Sequence, residues 1–165
     1  MYSTMILTHG LIYTGGFALI ILVSVLINPR IWMQDFPEDV KNDIPPKNNR
    51  ELQQTFITGF IFALFIVGFP IFSLSVYIKD FQIDDSFTTL FLYSFSVMMI
   101  CNILYWVIFD ILIFNLVISH IRTVPGLKKK LKFSGWKRQA FGLLVGILTC
   151  GLISSFAVIT ARFFN

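Results

Sequence analysis

Residues 87–119 read FTTLFLYSFSVMMICNILYWVIFDILIFNLVIS, thirty-three positions that carry one charge, Asp110. No soluble core strand or helix needs so long an unbroken apolar run, and no period-2 alternation marks it as a barrel strand. As a helix at 1.5 Å per residue it reaches roughly 50 Å, well past the ~30 Å of bilayer hydrocarbon. Tilt alone absorbs too little of that excess, because observed tilts stay within about 40°. The run therefore predicts an overlong third helix that breaks or continues beyond the membrane plane, with Asp110, Asn115 and Pro125-Gly126 as the places for the transition.

Three further apolar blocks flank it, at about 5–27, 55–78 and 140–160, each long enough to cross. The composition agrees: 56% of the 165 residues are hydrophobic and 13% charged. A soluble domain carries about 25% charged residues, and one this small has no interior large enough for so much Phe, Ile and Leu. Disorder is excluded on the same ground. The first block is too long, and lacks the basic start and small-x-small site, for a cleaved signal sequence. The expected fold is all-α: one transmembrane domain, a four-helix bundle spanning the whole chain.

Charge sets the expected orientation. Eleven of the thirteen basic residues lie in segments 28–53 and 120–139, and only Lys79 and Arg162 lie on the other side. The positive-inside rule puts both long loops in the cytoplasm and both termini outside, in what reads as a bacterial plasma membrane protein. Within the first loop, Pro37-Glu38-Asp39 with Phe36, Val40 and Ile44 predicts a short interfacial helix ended by Pro45-Pro46. Asn48 and Glu51 have the spacing of a capping box opening the second span. In the third loop Lys128, Lys129, Lys130, Lys132, Lys137 and Arg138 alternate with Leu127, Leu131, Phe133 and Trp136, a composition that anchors to anionic headgroups. Nucleic acid is not the expected partner.

Small residues recur every four positions in the last block, Gly142, Gly146, Cys150 and Ser154, and in the first, Gly10, Thr14 and Ala18. In lipid, close approach through such residues drives helix association, so these are the expected packing positions, within the chain or toward a second copy or membrane partner. Asp110, with Asn102 two turns before it, is the candidate ion or proton site, because an intramembrane acid is costly. Arg30, Trp32, Asp35, His120 and Arg122 form a candidate polar cluster at the cytoplasmic face.

Enzyme signatures such as HExxH, GxSxG or a P-loop are missing, and Cys101 and Cys150 make no CxxC. His9 and His120 fall at opposite membrane faces, so no catalytic residue, metal site or cofactor is expected. The leading expectation is a non-enzymatic membrane component that packs with itself or a partner. An oligomeric ion- or proton-coupled transporter using Asp110 and Asn102 stands second, and an enzyme acting on lipid headgroups at the cytoplasmic face third.

Overall fold

The structure is a computed structural model that describes residues 2–35, 42, 45–81, 86–108 and 136–164. The described residues are helical wherever they are regular: α1 (Tyr2–Ile27), a 3-10 turn (Pro29–Asp35), α2 (Asn49–Phe81), α3 (Phe87–Ile108) and α4 (Trp136–Phe164). Each of the four α-helices is long and apolar enough to cross a membrane, which makes the chain an integral membrane protein by length and composition. The described part of α3 covers 22 residues, which fits one membrane crossing. Asp110 and the rest of the predicted extension lie outside the described residues, as does the short helix predicted from Pro37.

Local chemistry explains the helix ends. Asn28 N–H still donates to the Ser24 carbonyl, while Asn28 Oδ1 accepts from Arg30 N–H and turns the chain. Pro29 follows, and the residue before a proline disfavours continued helix. The second helix starts on the reciprocal pair that the sequence predicts: Glu51 N–H donates to Asn48 Oδ1, and Asn48 N–H donates to Glu51 Oε2. Two otherwise orphaned N–H groups are thereby satisfied. The helix begins at Asn49 rather than 55, since its polar first turn is helical before the apolar run starts.

Around the bundle the order is α1, α3, α4, α2, and α3 makes its most extensive contacts with α1 on one side and α4 on the other. The main core lies among α2, α3 and α4 with Tyr13 from α1, and includes Leu74, Tyr77, Leu90, Tyr93, Val97 and Val158. A smaller cluster, Ile21 and Val25 with Phe17, Ala18, Trp32, Phe62 and Tyr105, fills the end nearer the 3-10 turn.

Both small-residue stripes are used against α3, not against each other. A Cβ on Gly10 would stand 2.9 Å from Ile100 Cβ, and one on Gly146 would collide with the Asn102 amide. Thr14, Cys150 and Ser154 are buried, whereas Gly142 faces open space. Gly10→Val is therefore expected to separate α1 from α3 at a cost of about 1–3 kcal/mol. Gly151→Ala, with open space at its Cβ, is expected to be neutral or to stabilise by up to about 1 kcal/mol. Unfolding of the two variants in mixed micelles distinguishes them.

Candidate functional site: a polar seam across three helices

Three polar side chains meet inside the bundle, one each from α1, α2 and α3. His9 Nδ1 lies 2.7 Å from Ser73 Oγ and 2.6 Å from Tyr93 Oη, and the two hydroxyls are 3.2 Å apart. When Nδ1 accepts and Nε2 carries the ring proton, the two hydroxyl protons make two hydrogen bonds in this triangle, one to the ring lone pair and one from hydroxyl to hydroxyl. Such groups are expensive to leave unmatched in hydrocarbon, and the triangle matches them with one another. Tyr93 is also stacked on Tyr77, with ring centroids 4.0 Å apart and planes at 9°.

A second contact in the seam follows from covalent structure. Pro70 sits inside α2 and has no N–H, so the carbonyl four residues earlier, that of Ile66, loses its helical donor. Tyr13 Oη from α1 donates to that Ile66 carbonyl at 3.2 Å. Its ring stacks on Phe65 and Phe69, which flank the interrupted turn. Proline thus creates an acceptor and the neighbouring helix supplies the donor. Tyr13→Phe is expected to cost about 1–3 kcal/mol. In a Pro70→Ala background, where residue 70 regains its N–H, the same change is expected to cost almost nothing. A double-mutant cycle on unfolding free energy measures the coupling.

Burial decides what the triangle does chemically. A serine at 2.7 Å from an imidazole has the geometry of an activated nucleophile. Ser73 is 1% exposed and Tyr93 0%, so no substrate carbonyl reaches Oγ. The arrangement ties helices together instead. Among the described residues no group of three or more His, Cys, Asp or Glu converges to hold a metal ion.

The opposite end of the bundle carries a second polar knot. Arg30 Nη1 pairs with Glu51 Oε1 at 2.8 Å, and Arg30 Nη2 donates to the carbonyls of Pro45 and Pro46. Lys47 Nζ donates to the Ile31 carbonyl and to Thr55 Oγ1. Asn28 Nδ2 donates to Gln54 Oε1. Trp32 Nε1 donates to Ser24 Oγ at 2.7 Å while its ring meets Phe62 edge-on. These bonds clamp the 3-10 turn onto the start of α2.

Of the residues singled out in the sequence, Arg30 and Trp32 thus belong to this knot. Asp35 ends the 3-10 turn. His120, Arg122, Lys128, Lys129, Lys130 and Lys132, like Asp110, lie outside the described residues. Lys137 and Arg138 stand in the first turn of α4. Asn102 lies at the α3–α4 contact opposite Gly146, and its Nδ2 is buried with no hydrogen-bond acceptor among the described residues. Comparison with known proteins finds no match among family models, curated proteins or solved structures.

Proposed function

We propose that this chain is a non-enzymatic membrane component that acts through its surfaces, packing laterally with itself or with another membrane protein. The filled interior carries the reading: Leu74, Tyr77, Leu90, Tyr93, Val97 and Val158 are all at most 1% exposed, and the core polar groups of the seam bond to one another. What remains available is the outside. On α4, Phe141, Leu148, Leu152, Phe156, Ile159 and Phe163 form an exposed apolar ridge down one face. In this reading the chain sits in a bacterial plasma membrane, and the basic bias supports a cytoplasmic Arg30 end and loop 120–139, with both termini outside. Lys128, Lys129, Lys130, Lys132, Lys137 and Arg138 then face anionic headgroups.

Purification of the full chain after mild solubilisation tests this reading. Recovery as a homo-oligomer or with a second membrane chain at fixed stoichiometry is expected, and recovery as a monomer alone contradicts it. One observation favours a second reading, a transport site: Asn102 Nδ2, buried without an acceptor among the described residues, lies two turns before Asp110. In liposomes, ion-dependent flux abolished by Asp110→Asn would establish that reading in place of the first.

A further inference from the structure

A groove of about 400 Å³ opens between α1 and α2 beside the polar knot, with Leu19, Val23, Ile27, Ile57 and Ile61 among its walls. The volume is in the range of small-molecule sites. All five of those side chains are exposed, so the groove faces outward, where hydrocarbon surrounds a membrane-embedded bundle. Its α2 wall is Gln54, Ile57, Thr58 and Ile61, which share one helical face. Continuing that face one turn toward the helix start gives Arg50, four residues before Gln54. Arg50 is exposed. Among the described residues the ion pair at this end joins Arg30 to Glu51, not Arg50.

Gln54 marks the boundary between the two chemistries. Its Oε1 is taken by Asn28 Nδ2, which leaves the Nε2 donors for a ligand oxygen. Ile31 shows the same change of character, since its side chain lines the groove and its carbonyl accepts from Lys47 Nζ. The groove is thus apolar along its length and basic at one mouth: Arg30, Lys47 and Arg50 outnumber the two acids, Asp35 and Glu51, in that stretch of described residues.

We propose that this groove binds one anionic glycerophospholipid, with an acyl chain between α1 and α2 and its phosphate at Arg50 and Gln54. An apolar helix from a partner satisfies the walls but brings no charge to Arg50, whereas an acidic lipid matches both ends. The site is separate from the α4 ridge, so its failure leaves the lateral-packing role untouched, and the reverse holds too.

The test is native mass spectrometry of the purified, delipidated full chain titrated with dioleoyl phosphatidylglycerol or dioleoyl phosphatidylcholine, reading the first lipid bound. Phosphatidylglycerol is expected to bind about fivefold more tightly, the equivalent of one basic side chain near a surface. Arg50→Gln is expected to abolish that preference, and Arg162→Gln, at the far end, to preserve it. Thr58→Phe, which fills the groove, is expected to weaken both lipids. An unchanged preference in Arg50→Gln overturns the proposal, as does unchanged binding in a folded Thr58→Phe. Should Thr58→Phe fail to fold, Arg50→Gln against Arg162→Gln still decides. A cross-link from position 57 to a second copy or to a partner helix, in place of lipid, overturns it too.

Discussion

Tyr93→Ala is expected to be the most damaging single change in the bundle, lowering unfolding free energy by about 3–5 kcal/mol, while Tyr93→Phe costs about 1–2 kcal/mol. The ring is fully buried and stacked on Tyr77 at 4.0 Å, with Tyr2 a further 6.3 Å neighbour. In lipid the water-exclusion part of the usual cost is weak, because tails are as apolar as the core. The lost dispersion contacts and the cavity remain, and both act on a packed interior regardless of solvent. The alanine variant also deprives His9 and Ser73 of their common partner. The phenylalanine variant removes only the hydroxyl, and His9 and Ser73 still have each other at 2.7 Å. Denaturation of both variants in mixed micelles gives the comparison. Equal losses would mean that the aromatic stack contributes nothing.

Glu51→Ala is expected to come next, at about 2–3 kcal/mol, and to act locally. Four bonds that involve a side chain end on this carboxylate or its backbone: the Arg30 guanidinium, the Asn48 N–H, the Glu51 N–H to Asn48 Oδ1, and the Thr55 hydroxyl to the Glu51 carbonyl. Only the first two are lost on substitution. Removing one partner of a fully buried ion pair costs about 3–5 kcal/mol because the other charge is stranded. The side chains here keep 19% and 13% exposure, so water relieves part of that penalty. Half of the capping box adds a few tenths to about 1 kcal/mol. Hydrogen exchange is the right probe: protection should fall in 28–35 and in the first turns of α2, and stay unchanged around Tyr77 and Tyr93. Loss of protection across the whole bundle would contradict a local clamp.

The two polar regions differ in how far they are legible in sequence, for a physical reason. The clamp's capping box spans four residues, Asn48 to Glu51, and short-range rules recover it. The four apolar helices are equally legible, because length and continuity are local properties. The His9–Ser73–Tyr93 triangle joins positions 64 and 84 apart along the chain, and no spacing rule encodes that. His9 reads in sequence as a residue near one membrane face, opposite that of His120. A usable signal was present in depth. His9, Ser73 and Tyr93 lie seven, eight and six residues from the adjacent ends of their helices, hence all about 10 Å in from the same edge. Polar residues at matched depth in three apolar helices are candidates to meet.

Packing partners were similarly half legible. The stripes at Gly10 and Gly146 identify where backbones come close, but a stripe is silent on which helix fills it. Here α3 fills both, with Ile100 toward α1 and Asn102 toward α4. The Tyr13–Ile66 bond was within reach of covalent reasoning, since Pro70 names the carbonyl that needs a donor. Which residue supplies the donor depends on the register of α1 against α2, and that is a tertiary property.

The most direct test of lateral packing is site-specific photocross-linking in native membranes from the outward positions Leu148, Leu152 and Phe156, with Val158 as the buried control. The outward positions are predicted to yield a discrete protein adduct, either a dimer of this chain or one membrane partner, and Val158 to yield intrachain products. Lipid adducts alone from all three outward positions would contradict a packing role.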